Sequence, residues 1–475
     1  MREPVRIANC SGFFGDRLAA AREMVDGGPI DVLTGDWLAE LTMLILMRQK
    51  LKRGNGFAGT FLTQVEQVLG TCSDRGIRIV SNAGGLDPLA LGEAVDELAG
   101  RLGIPVRVGV VSGDDLMPRM AELLQSGEGF VNLDTGETLA EAGAVPITAN
   151  AYIGGEPIAD ALRAGADIVV TGRVTDAALV IGPAAWWHGW DFAAARSGDK
   201  TMGDALAGAL VAGHVIECGA QACGGNYAFF RDVPGLEHPG LPIAEVSADG
   251  STVITKHEGT GGMVTVGTVT AQLLYEIGGP AYANPDVTAD FATIELEQVG
   301  RDRVRVSGTT ALPAPLRLKV AMNYLGGFRN SLTLVLTGLD VEAKADLALR
   351  TIAGVSLEQV RDAGADAIAL AGLSTLAVRE LAVELQDSGI LDPAMPGDAQ
   401  SFLRITVKDT DADRVGKAFT APLIEATLSS YPGMFPTTPP GPASPYGVYW
   451  PTTVDRGNVS VSVQVAGELV AEGTP

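Results

Sequence analysis

The stretch TKHEGTGG, residues 255–262, sets Lys256, His257 and Glu258 directly before Gly259, Gly261 and Gly262. A carboxylate that takes a proton, a lysine beside it and glycine N–H groups free to hold an oxyanion or a phosphate make a plausible set for acid–base chemistry. Alternation along a strand puts Lys256 and Glu258 on one face and His257 on the other, so the first two are expected to act together. The competing reading is an exposed ion pair beside a tight turn. Glycines packed this densely exceed what one hairpin needs, which favours a site.

Other segments offer chemistry of the same kind. GHVIECGAQACGGNY places Glu217 at what reads as a strand end, beside His214, Cys218 and Cys223. The H-x3-C-x4-C spacing gives only one side of a zinc site, so core cysteines are expected there, no metal is assigned, and Glu217 is the catalytic candidate. TGRVTDAALV puts Arg173 at a strand end and Asp176 one turn on. Arginine there grips a carboxylate or phosphate in two-pronged fashion, unless it simply pairs with Asp176. Ser11 and Gly12 in NCSGFFGDR, and Asn82, Gly84 and Gly85 in SNAGGLDP, are small residues after strands. The first reading of each is a tight strand-to-helix turn, and the competing one is a place where a ligand approaches backbone N–H groups. Trp187 in WWHGW is a candidate wall for a prenyl-like chain or an adenine, against the plainer reading of a packing or subunit contact.

Positioning these residues requires a sheet. From Val5 to Ala220 short apolar runs (VRIANC, DVLTGD, IRIVSNAGG, VRVGVVSG, PITANAYIGG, DIVVTGR, HVIECGA) alternate with helical patterns, which predicts α/β architecture with a mainly parallel sheet, open or barrel-like. In either topology ligands gather at the carboxyl ends of the strands. LDPLALGEAVDELAGRLGIP carries helix-boundary signals: Asp87 as cap, Pro88 at the first position, Gly103 after the end. The run from Trp37 reads as a buried helix with a cationic end. After Gly224 the pattern turns to period two: a hairpin around Asp249-Gly250, strands LRLKVAMNYL and NSLTLVLTG paired across Gly326 and Gly327, and helices near 341–353 and 374–386. The expected division is an α/β domain over 1–287 and an α+β domain over 288–475, with the Pro/Gly-rich stretch 431–451 as an ordered strap.

Composition narrows the partners. The 475 residues carry 34 basic and 57 acidic side chains, a net charge of -23, which repels nucleic acid and anionic membrane surfaces. Four cysteines and no secretory-type start at Arg2, Glu3 and Pro4 suggest a reducing, cytoplasmic setting. No P-loop, nucleophile elbow, HExxH or CxxC occurs, and Gly259 and Gly261 are followed by Val264 where a dinucleotide loop needs a third glycine.

Taken together, SGFFGDR, DVLTGDWLAELTM, SNAGGLDP, TGRVTDAALVIGPAAWWHGW, AGHVIECGAQACGGNY, PIAEVSADGSTVITKHEGTGGMVTVGTVTAQLLYEI and PGPASPYGVYWP resemble the acyclic terpene utilisation family, the AtuA-like proteins, over most of the chain. That resemblance implies a setting in citronellol and geraniol breakdown, through branched acyl-CoA thioesters. The resulting expectation is an enzyme of branched-chain or terpenoid acid catabolism, a hydratase or carbon–carbon lyase working beside a thioester or carboxylate. Its base would be Glu258 or Glu217, its enolate stabilisers Lys256, Arg173 and Gly259–Gly262. A CoA thioester enters as substrate moiety and no cofactor is assigned. The alternatives are a non-catalytic scaffold subunit that needs a partner protein, and a phosphate-ester or nucleotide-handling enzyme. Homo-oligomerisation is expected from the tryptophan cluster and the aromatic tail.

Overall fold

The structure, a computed structural model, describes residues 2–389 and 399–475. The chain forms two compact units, one from Met1–Asn323 with Tyr449–Pro475 and the other from Tyr324–Val448. The division therefore falls at Asn323 rather than near residue 287. Strand Arg303–Ser307 pairs with Thr252–Lys256 on the first unit's sheet and keeps the intervening chain in that unit.

That sheet has eleven strands and is mixed. Its first strands are β1 (Val5–Asn9), β2 (Val32–Gly35), β3 (Arg78–Ser81) and β4 (Val108–Ser112). They are followed in the chain by β5 (Pro146–Ala151), β6 (Ile168–Thr171), β7 (Pro242–Val246) and β8 (Thr252–Lys256). Neighbours are parallel through β1, β2, β3, β6 and β4. On one side β7 and then β8 continue antiparallel, and on the other Val461–Val465 lies antiparallel to β4. Every residue of β2 and β6 is buried, as strands covered on both faces must be. Parallel direction brings the residues that follow β1, β2 and β6 to one edge.

Several elements differ from the sequence reading. HVIECGA is not a strand: Asp199 caps a helix, Lys200–Ile216, with its side chain accepting from the Thr201 and Met202 N–H groups, and Glu217 is that helix's C-cap. Its glycines let it press on neighbours; a Cβ on Gly213 would lie 2.6 Å from Ala177 Cα. β5 lies off the large sheet and pairs with the strand Arg317–Thr337. LRLKVAMNYL and NSLTLVLTG form that one 21-residue strand, and Gly327, at φ 122°, serves a close approach rather than a turn, since a Cβ there would meet the Asp409 carbonyl. Within 374–386 the pattern ELAVELQ is strand Glu380–Gln386, because pairing with Gln400–Asp409 overrides helix propensity. Helix Pro88–Leu102 starts at Pro88 and ends at left-handed Gly103, though the Asp87 side chain makes no cap bond. The helix after Trp37, Glu40–Arg53, carries its cations in the last turn but is not buried all round: Leu41, Ile45 and Leu51 are exposed.

The β7–β8 hairpin turns at Asp249-Gly250, with Gly250 at φ 84°. The strap ends in strand Ser444–Asp455, and buried Trp450 donates its indole N–H to the Phe130 carbonyl at 2.8 Å. The second unit packs helices Val341–Ile352 and Lys417–Glu425 on an antiparallel sheet through Leu334, Leu349, Leu403 and Phe419. All four cysteines are free, and no helix among the described residues is long and apolar enough to cross a membrane.

Candidate functional site

Within the first unit a cleft of about 730 Å³ opens where β1, β2 and β6 end. β2 delivers Asp36. Its Oδ1 accepts from Asn82 Nδ2 at 2.6 Å and from the Leu38 N–H at 2.8 Å, while Asn82 Oδ1 accepts from the Trp37 N–H at 2.8 Å. Asn82 thus holds the corner that aims Asp36 and does not itself line the cleft. Burial, and next the neighbouring Asp176 carboxylate, hold the Asp36 carboxyl well above the usual range against the pull of Arg173.

β6 delivers Arg173, 2% exposed. Asp114 Oδ2 accepts from the Arg173 backbone N–H and from Asn150 Nδ2, each at 2.8 Å, and a Cβ on Gly172 would sit 2.1 Å from Asp114 Oδ1, so only glycine lets Asp114 approach. The guanidinium donates to the Leu38 carbonyl, lies 3.3 Å from Asp176 Oδ1 and covers the Tyr152 ring at 4.3 Å. Tyr152 donates to Glu40 Oε1 at 2.6 Å, and Lys319 Nζ reaches the same oxygen at 3.2 Å. Burial alone would raise Glu40, but Arg173, the Tyr152 hydroxyl and Lys319 together hold it down at about 2.

Glu217 enters from a third direction. Asn9, the last residue of β1, donates to the backbone carbonyls of Ile216 and Glu217, so the strand end fixes the helix end. Burial pushes the Glu217 carboxyl up to about 7, against the lowering pull of His214, whose Nδ1 lies 3.4 Å from Glu217 Oε1. His214 is buried, which lowers it, but Glu217 outweighs this and its net shift is upward. The Cys218 thiol is pushed up by burial and then by Glu217, the wrong direction for a nucleophile.

Gly12 lines the floor, and a Cβ on it would lie 2.6 Å from the Cys218 carbonyl carbon and the Gly219 nitrogen. Gly12→Ala is expected to cost about 1–3 kcal/mol in urea unfolding, because two backbones would have to separate. An unchanged midpoint would mean that this floor yields freely. Ser11 sits behind Gly12, its carbonyl accepting from the Asp36 N–H at 2.8 Å.

The remaining expected residues lie elsewhere. Lys256, Glu258, Gly259, Gly261 and Gly262 line a separate open groove with Arg6, Arg301 and Arg303, and no residue lines both. Lys256 Nζ is held by the Thr260 carbonyl at 2.9 Å and lies 3.6 Å from Asp302 Oδ2, while Glu258 faces solvent. The loop therefore does not join Arg173, Asp176 and Glu217. Gly84 and Gly85 serve packing: a Cβ on Gly84 would lie 2.4 Å from the Thr171 carbonyl, and Gly85 takes φ 53°. Trp187 packs with the N-terminal segment, its indole donating to the Glu3 carbonyl at 3.0 Å, away from the cleft. Glu40, Tyr152 and Lys319 were not singled out from sequence; they come from segments more than 100 residues apart and carry no shared motif. Among the described residues no group of three or more His, Cys, Asp or Glu side chains is arranged to hold a metal ion.

A family model described as acyclic terpene utilisation family protein AtuA matches residues 5–465. No curated protein and no solved structure matches the chain.

Proposed function

The chain belongs to the acyclic terpene utilisation family, and from that premise we propose that it is an acid–base enzyme adding or removing water, or cleaving a carbon–carbon bond, beside a carbonyl. The observation that carries this reading is Glu217: a buried carboxyl raised to about 7, in one cleft with buried Arg173 and the Asp36–Asp176 carboxyls. A carboxyl poised there takes and returns a proton at neutral pH with the best compromise of basicity and occupancy. For water removal Glu217 takes the proton beside the carbonyl. Asp36, whose carboxyl burial and the neighbouring Asp176 hold above the usual range, is the group in the cleft placed to give the proton that leaves with the hydroxyl. For carbon–carbon cleavage Glu217 takes the hydroxyl proton and the new enolate rests on Arg173. Glu258, Lys256 and the glycines of their loop have no part in this reading.

The test is a turnover screen of branched hydroxy-acyl thioesters and hydroxy acids across pH 5–9. With Glu217 as base, kcat/KM rises with pH through about 7, and Glu258→Gln leaves the profile in place. No turnover of any such compound, or a profile that moves with Glu258→Gln, would sink the proposal. A second reading, a subunit completed by a partner protein, draws on the exposed Leu41, Ile45 and Leu51. Co-purification of a stoichiometric second chain would favour it.

A further inference from the structure

Five polar atoms of residues lining the cleft are buried without a hydrogen-bond partner: Arg173 Nε, Thr175 Oγ1, Asp176 Oδ1, Glu217 Oε2 and Asn284 Oδ1. Buried polar groups without partners are rare in folded proteins, and several of them on the lining residues of one cavity point to a ligand or ordered water that completes them. The set is uneven. Arg173 Nε is a donor, Thr175 serves either way, and the other three are acceptors, so the cleft asks its ligand for an acceptor and for at least one donor.

Charge narrows it further. The three cations lining the cleft are each already matched: Arg173 lies 3.3 Å from Asp176, Lys319 3.2 Å from Glu40, and Arg317 2.6 Å from Glu128. Against them the lining holds six carboxyl groups, of Asp16, Asp36, Glu40, Asp176, Glu217 and Glu276. An incoming carboxylate finds no uncompensated cation there and several like charges.

We propose that the cleft selects a neutral carbonyl compound bearing a hydroxyl group, an ester, thioester or amide of a hydroxy acid, and rejects the free hydroxy acid. The carbonyl oxygen accepts from Arg173 Nε, and the hydroxyl donates to Glu217 Oε2 or Asp176 Oδ1. This rests on the reading of the cleft as the active site and adds the charge state of its substrate.

Calorimetric titration of the full chain at pH 8 with β-hydroxyisovalerate, its methyl ester and the methyl ester of isovalerate separates the two claims. The hydroxy ester is expected to bind roughly tenfold or more tightly than the free hydroxy acid, because only the acid brings a like charge. It should also bind roughly tenfold more tightly than the ester lacking the hydroxyl, which forgoes a hydrogen bond to a charged group. Asp176→Asn removes one anion and should narrow the preference over the acid; Glu217→Gln is the second variant should Asp176→Asn not fold. Acid binding as tight as the hydroxy ester, or no binding of either ester, overturns the inference. Preferences as expected but unmoved by either variant would place the ligand elsewhere and remove the active-site reading instead.

Discussion

Glu217→Gln is expected to lower turnover by about 10²–10⁴-fold, the range for losing a general acid–base group, with a much smaller change in KM. Glutamine keeps the shape and the carbonyl that faces His214, but it neither takes nor gives a proton. The same substitution has an opposite effect on stability, which separates a catalytic role from a structural one. Glu217 titrates at about 7 in the folded chain and ordinarily at 4.5. Between those values the folded state binds the proton that the unfolded state has lost, so wild-type stability falls as pH rises through that window. Glutamine does not titrate, and urea unfolding of the variant should lack this fall and leave it more stable than wild type above pH 7. A variant both inactive and less stable at pH 8 would mark Glu217 as structural.

That a residue so placed was legible in part has a physical reason. Arg173 and Asp176 follow a short apolar run whose only workable place is a parallel strand, and the edge where such strands end is where ligands bind. Glu217 stood out by type, but the local signal misled: VI reads as β-branched strand, whereas Asp199 and the Ala/Gly spacing upstream carry one helix through Ile216. The glycine loop misled through composition. Whether a lysine is free depends on what it meets in space, and Lys256 meets Asp302, which 46 residues separate from it in the chain. Glu40, Tyr152 and Lys319 could not be found from periodicity, because Glu40 and Lys319 sit in a helix and a strand whose patterns point to packing, and Tyr152 lies just past the end of β5. Gly326-Gly327 shows the same ambiguity at backbone level: two glycines signal a turn or a close approach, and only the Asp409 segment beside them decides.

Arg173→Met should show how much of the cleft depends on one cation. Its guanidinium is 2% exposed and lies among Asp176, Tyr152 and the Glu40 and Asp36 carboxyls. Removing one partner of a buried ionic cluster leaves the others uncompensated, which costs about 3–5 kcal/mol at neutral pH, whereas a surface pair costs far less. The pH dependence follows from Glu40. In the wild type it is held at about 2, below its ordinary 4.5, so it contributes stability that is present above 4.5 and lost as pH falls through 2. Without Arg173 burial becomes less opposed and the Glu40 carboxyl moves up, as Asp36 already has, and a group raised in the folded state loses stability as pH rises. The gap between wild type and variant should therefore be widest at pH 8 and narrower at pH 5, measured by urea unfolding at both values. A gap of the same size at both would mean that methionine disturbs packing alone. No gap at either would mean that the carboxyls around Arg173 are solvated well enough to do without it, and that its orphaned Nε is met by water rather than by a substrate carbonyl.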